Sequence, residues 1–501
     1  MIEPGIWTIS YDTYVRGNLI FDGGVLRIMP GVTLSLAKEP AVAANAAAFD
    51  VSLLAWNRGI LRRADIPQGS WIWSVDGGVR FPGTAYASWF GAREGAGIDN
   101  SKALQVMLQS GARDAVLDGF YDHIANWLGD GQVLRGMAPF GGGGRFGLRT
   151  IPHPQDFDSL LRNRDPKSPR EAAFRGLSTV SGASSAEFRD FEYDGSARQS
   201  RDHADGYRAY LAAPQEGKSK GKQRLRRYRL RQGGINLGMT GRKEDYVAPA
   251  RTLMERLYIH NTVRNCIVAN EAPNVTIRDC RLADSDTDHL IYADRNPDLV
   301  VERTVFSGYA CDGMLVISGG NIQDCVFTDL QPNPTAELDI NFLISLRNDI
   351  AAPARLSRLS IEGDLSAIMK APGEGAVIRF AGERQAEISQ LQVRHRGPDD
   401  TRFSVFGAEF SASSIKVIEM MALGMPRGAR LWKTDMTIRD LEMRNVAWAS
   451  STMDSYPELM HFGSLKRYVF SDFDVQGGAF TRLANIQRPP EAIDLRSVAP
   501  Q

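Results

Sequence analysis

The sequence carries no net charge: 59 Lys and Arg face 59 Asp and Glu. That balance excludes a globally basic nucleic-acid binder and leaves room only for local patches. Cysteine is scarce, with 4 in 501 residues, at Cys266, Cys280, Cys311 and Cys325. None of the spacings is CxxC or a zinc pattern, which excludes a disulfide scaffold and a zinc finger. The four read as buried thiols of a chain folded in a reducing cytoplasm. No apolar run reaches the ~18 residues of a transmembrane helix, so no membrane partner is expected. The first residues contain Glu3 and Pro4 and no apolar core, so no signal peptide is expected. GxSxG, HExxH and a GxGxxG in a strand–turn–helix setting are missing. The run Gly141-Gly142-Gly143-Gly144-Arg145 lacks the Lys-Ser/Thr of a phosphate loop and reads as a turn.

What is present is a chain that is 43% hydrophobic and long enough to bury a large core. In residues 1–80 short alternating runs such as Val25-Leu26-Arg27-Ile28 and Val32-Thr33-Leu34 are punctuated by Gly23-Gly24 and Pro30-Gly31. This predicts a small N-terminal β-rich module. Residues 81–130 read as a linker followed by a helix over Ser101–Ser110, capped by Asp99 or Asn100. Its apolar residues are Ala103, Leu104, Val106, Met107 and Leu108.

From about residue 175 the chain repeats. Ile267–Ile277 aligns with Ile291–Val301 at an offset of 24, and the register continues with Cys280 on Thr304 and Leu282 on Phe306. The next turn is three residues shorter: Ile322, Cys325 and Phe327 fall on Val301, Thr304 and Phe306. A repeat of 21–24 residues with short strands and polar corners predicts a parallel β-helix, because one coil buries its apolar face only against the next. The leucine-rich repeat core is absent. The solenoid is expected over 131–487, with a basic insertion at about 196–232 and a C-terminal tail at 488–501.

The segment Pro82-Gly83…Ala87-Ser88-Trp89-Phe90-Gly91-Ala92, followed by Asn100-Ser101-Lys102-Ala103-Leu104-Gln105, resembles the entry to the solenoid in phage tailspikes and polysaccharide depolymerases of the pectate-lyase-like superfamily. It departs from them where Glu94-Gly95-Ala96-Gly97 replaces the usual GDG and Asn100-Ser101 replaces an acidic pair. The resemblance implies an all-β fold: a right-handed parallel β-helix whose first coil is covered by the helix. It further implies a homotrimeric spike on a virion surface or outside the cell, with attachment through the N-terminal module. Its partner is a bacterial polysaccharide substrate, and neither cofactor nor nucleic acid is implied.

Equivalent residues on successive coils sit one strand spacing apart, about 4.8 Å. Asp288 and Asp312 form such a pair at offset 24. Two stacked carboxylates repel, so one holds its proton more tightly, as a general acid beside an ionised partner must. Asp284 and Asp286 are the substitutes in the same acidic run, Asp284-Ser285-Asp286-Thr287-Asp288-His289. His289, Tyr292, Asp294 and Arg295 are expected to bind sugar. Arg264, one coil upstream of Asp288, is placed to hold a carboxylate ionised or grip an anionic sugar. The bland alternative is that these acids make turns. The alternating oxygens would also suit calcium, but the EF-hand Gly and distal Glu are missing, and no metal is assigned.

Between Lys218 and Arg231 eight cations fall nearly all at period two, one face of an extended strand. With Tyr207, Tyr210 and Tyr228 they suit an acidic polysaccharide; a solvated loop or subunit contact is the alternative. The leading expectation is an endo-acting glycoside hydrolase of a bacterial surface or exopolysaccharide. A polysaccharide lyase using Tyr292, His289 or a lysine as base, and a non-enzymatic adhesin, are the competing ones.

Overall fold

The structure is a computed structural model. It describes residues 1–43, 45–59, 72–139, 144–151, 174–202, 231–237, 247–286, 288–311, 313–333, 342–347, 353–365, 375–382, 385–397, 403–408, 412–425, 429–450, 458–476 and 482–488. The chain divides into two compact units, residues 1–268 with 272–275, and residues 269–271 with 276–501.

The first unit opens with short parallel pairs. Gly5–Ile9 pairs with Gly24–Ile28, which pairs with Phe49–Asp50. Thr13–Val15 pairs with Thr33–Leu36, which pairs with Gly78–Arg80. Gly23 and Gly31 take φ of +77° and +75°, which lets the chain turn sharply between strands. The predicted helix is present as Ser101–Gln109. Asp99 caps it by accepting the Ser101 N–H at 2.9 Å. Asn100 instead ties down the loop before it: its Oδ1 accepts from the Arg93 N–H, and its Nδ2 donates to the carbonyls of Arg93, Ile98 and Asp122.

The helix covers an open strand edge. Strand Ala125–Leu128 pairs on one side with Phe174–Thr179. On the helix side the fully buried Gln105 replaces a strand: its Nε2 donates to the Trp127 carbonyl at 3.2 Å and its Oε1 accepts the Trp127 N–H at 3.0 Å. An edge left bare would expose unpaired backbone groups. From there strands of the first unit pair in parallel with the third one after them. Asp114–Leu117, Val133–Gly136, Ala186–Arg189 and Thr252–Glu255 form one stack. Phe120–His123, Gly147–Thr150, Glu192–Asp194 and Tyr258–His260 form the next.

The second unit winds the same way, and its first registers are those read from the repeat. Ile277 pairs with Val301 and Val301 with Ile322. Leu282 pairs with Phe306 and Phe306 with Phe327, whose rings stack 4.7 Å apart. Later coils depart from 21–24 residues. Ile322 pairs with Leu356, Leu356 with Ile388 and Ile388 with Val417, spacings of 34, 32 and 29. Parallel connections of this kind are right-handed almost without exception. Both units are built of coils of a right-handed parallel β-helix.

One corner explains how the coils keep their shape while their length changes. In the second unit Asp279, Arg303, Asp324, Arg358, Gln390 and Glu419 all take φ between +46° and +58°. A single left-handed residue bends the strand sharply without a loop. Because of the bend at Arg358, one strand, Ala354–Gly363, pairs with both Gly320–Gln323 and Val326–Leu330. Side chains at this corner pair along the stack: Arg303 on Asp279 at 2.7 Å and Arg358 on Asp324 at 2.5 Å. Among the described residues no helix is long and apolar enough to cross a membrane.

Candidate functional site

The acidic run lies in the second unit, between strands Arg281–Ala283 and Ile291–Ala293. Its three described aspartates do different things. Asp284 is a corner residue with φ +55°, and its carboxylate lies against Gly308 so closely that a Cβ there would overlap it. Asp286 is 1% exposed and accepts the Tyr309 hydroxyl at 3.0 Å, while its carbonyl accepts from Asn333 Nδ2 at 3.0 Å. Asp288 is 5% exposed, and its Oδ1 lies 3.2 Å from His289 Nε2.

The proton count at this last contact is unusual. His289 Nδ1 is 2.8 Å from the Gly313 carbonyl. A carbonyl only accepts, so Nδ1 carries a hydrogen. A hydrogen bond between Nε2 and the Asp288 carboxyl then requires one further proton, carried by either partner.

Aromatic and cationic groups continue outward from the pair. The His289 ring stacks on Tyr292 at 5.6 Å and 18°. Arg347 Nη1 donates to the Tyr292 hydroxyl oxygen at 3.0 Å, with its guanidinium carbon 5.3 Å from the ring centre. Phe342 lies 6.4 Å from His289 and packs on Gly313, where a Cβ would overlap its ring; the Arg379 guanidinium carbon lies over the Phe342 ring, 3.8 Å from its centre.

The remaining candidates lie elsewhere. Asp294 accepts the Ser318 hydroxyl at 2.7 Å, and its N–H donates to Asn270 Oδ1 at 2.9 Å. Arg295 is a left-handed corner residue, φ +51°, paired with Glu271. Arg264 belongs to the first unit, where its carbonyl accepts the Thr262 hydroxyl. The offset of 24 holds after Asp312, where Ile291 pairs with Leu315; before it the Cys311 N–H donates to the Asp288 carbonyl at 2.9 Å, which departs from that offset. Asp312 itself lies outside the described residues, as do Tyr207, Tyr210, Tyr228 and the cations from Lys218 to Arg229. The cysteines are buried, free thiols. Burial pushes the Cys325 thiol up to about 12, so it stays protonated at neutral pH.

A second polar group, in the first unit, escaped the sequence reading. Strands Phe120–His123, Gly147–Thr150, Glu192–Asp194 and Tyr258–His260 align Asp122, Arg149, Asp194 and His260 in one column. Glu192, two residues before Asp194, accepts from Arg145 at 2.6 and 2.9 Å and contacts His260 Nε2 at 2.9 Å. Arg149 pairs with Asp122 at 2.6 Å. Burial would raise the Glu192 pKa, but hydrogen bonds from His260 and Arg145 outweigh it and hold the carboxyl at about 2. The available signal was alternation: Glu192-Tyr193-Asp194 and Tyr258-Ile259-His260 each put two polar or aromatic tips on one face around a buried centre.

No protein-family model and no curated protein sequence matches this chain. Among solved structures it is similar to the A-module of mannuronan C-5 epimerase AlgE4 from Azotobacter vinelandii, at 12% identity and a TM-score of 0.45, covering 82% of this chain and 100% of that one. It is similar to the family 28 exopolygalacturonase of Yersinia enterocolitica, at 12% identity and a TM-score of 0.39, covering 85% and 81%. It is also similar to the enzymatically active domain of tailspike protein 2 of bacteriophage CBA120, at 12% identity and a TM-score of 0.34, covering 83% of this chain and 46% of that one.

Proposed function

We propose that this chain is an endo-acting polysaccharide depolymerase, a glycoside hydrolase acting on a bacterial surface or exopolysaccharide, with Asp288 supplying the proton. The observation that supports it is the Asp288–His289 contact at 3.2 Å, with Nδ1 already committed to Gly313. A carboxyl that shares a proton in a buried pair can hold that proton at neutral pH, as a general acid must. On this reading Asp312, one coil further on, is the second carboxylate. Asp286 and Asp284 shape the stretch through Tyr309 and the Gly308 corner. Action outside the cell, trimerisation and attachment to a virion through residues 1–80 belong to the same proposal.

The test is Asp288→Asn, with glycan cleavage followed by reducing ends and fragment mass. General acid catalysis is worth about 10²–10⁴-fold, and a loss of that size is expected. A folded Asp288→Asn protein that cleaves at the wild-type rate would show that the pair is an internal lock and nothing more. Wild-type protein that binds glycans and cleaves none would make it an adhesin.

One observation favours a lyase as the second reading. Arg347 donates to the Tyr292 oxygen, placing a cation on a phenol that would act as base. A lyase leaves a double bond conjugated to a carboxylate, which absorbs in the ultraviolet; hydrolysis leaves none.

A further inference from the structure

Arg347 ends the strand Phe342–Arg347 and is half-buried. Its contacts among the described residues are the Tyr292 hydroxyl oxygen and the Tyr292 ring. Neither is an anion. Two other part-buried guanidiniums are matched by acids: Arg149 by Asp122 and Arg430 by Glu458. Shielding a cation from water without a counter-charge costs stability, so a protein that keeps one does so against a penalty. The guanidinium fork has five N–H donors, and Tyr292 takes one. Parallel donors of this kind match the two oxygens of a carboxylate better than any other group.

Position gives this charge a meaning. Tyr292 pairs in the stack with Val316, and Val316 with Ser345, so Arg347 lies two residues beyond the position two coils from Tyr292. The Tyr292 ring leads directly to His289 and from there to Asp288. A sugar ring beside the Tyr292 hydroxyl would therefore lie within reach of the Arg347 guanidinium.

We infer that Arg347 binds a carboxylate of the substrate, and that the substrate is an acidic, uronate-bearing glycan and not a neutral one. The inference rests on the placement of the site beside Tyr292 and adds the residue that selects the sugar. Arg347 acts in binding; no proton or bond change is assigned to it.

The experiment measures equilibrium binding of galacturonate, mannuronate and glucuronate oligomers and of the same oligomers with their carboxyl groups reduced to alcohols. Full-length wild type, Arg347→Lys and Arg347→Gln are compared, with melting temperature as the check on folding. A hydrogen bond to a charged group is worth about 1.5–3 kcal/mol, or roughly 10- to 100-fold in affinity. Wild type is expected to prefer at least one acidic oligomer over its reduced form by about that factor. In Arg347→Gln that preference should collapse, and Arg347→Lys should keep part of it, since the charge remains and the fork is lost. Where turnover is measurable, KM should rise more than kcat falls. Equal binding of acidic and reduced oligomers by wild type, binding of no uronate oligomer, or an unchanged preference in folded Arg347→Gln would overturn the inference. The depolymerase reading fails separately: if Asp288→Asn changes nothing while Arg347→Gln still loses the preference, the protein is an acidic-glycan binder without that catalyst.

Discussion

The two polar groups use the same residue types, one on stacked strands and one in the stretch between strands, and they differ in what surrounds their acids. In the first unit Glu192 receives Arg145 and His260, and Asp122 receives Arg149. Each carboxylate has its cation, and Glu192 is held ionised well below the usual carboxylate range. In the second unit Asp288 lies 3.2 Å from His289, and the contacts of Arg347 among the described residues are the Tyr292 hydroxyl and ring. The difference teaches that a carboxylate near a histidine is not yet a site. What matters is whether the surrounding donors saturate it. A saturated group adds stability; an unsaturated one can exchange a proton or take a ligand.

That contrast can be broken or sharpened by mutation. The largest effect expected is on cleavage. Asp288→Asn should lower the rate by about 10²–10⁴-fold. Glu192→Gln should leave the rate within a few-fold of wild type, and equal losses from both variants would erase the distinction between the two groups. The next effect is on acid stability. Glu192 has its pKa depressed from an ordinary 4.5 to about 2. Its stabilisation is therefore complete above pH 4.5 and lost as pH falls toward 2, a contribution of about 3 kcal/mol at most. Urea unfolding at pH 6 and pH 2 should show Glu192→Gln less stable than wild type at pH 6 and nearly level with it at the lower pH.

A smaller effect is expected at Gly313, whose missing side chain admits the Phe342 ring. Gly313→Ala should cost about 1–3 kcal/mol through overpacking, and it should disturb the His289 pair by moving the carbonyl that holds Nδ1. Thermal melts and cleavage rates on one preparation check both. Smallest of all is the exposed corner pair: Arg303→Gln should leave the melting temperature within the scatter of replicates, because exposed ion pairs contribute little.

Much of the winding was legible before any coordinates. Buried positions recur at offsets of 24 and 21 because each inward side chain must pack on its equivalent one coil away, and Phe306 on Phe327 shows the result. The helix over Ser101–Gln109 was legible for a local reason, an amphipathic run behind a capping residue. The later coils were harder to read. Their spacings of 26–34 residues vary from one coil to the next, as Val417 to Met443 and Ile344 to Ile378 illustrate, and a variable insertion destroys a period. The Glu192 group was hidden by distance along the chain: Glu192 and His260 are 68 residues apart.

The chemistry of the acidic run was only half legible. Residue types along Asp284–His289 announced a polar stretch, but consecutive residues in a strand point to opposite faces, so nothing in the order suggested that Asp288 would touch His289. They touch because the chain bends there between two strands. Likewise Asp284 and Arg295 read as candidate site residues, whereas backbone geometry makes both left-handed corners.

By itself the order of residues determined that this chain winds, since burying a repeated apolar face is a local requirement met identically at each turn. Which carboxylate would meet which cation or ring nitrogen was settled only by folding. That outcome depends on how many donors arrive from coils dozens of residues away, and no spacing along the chain records their count.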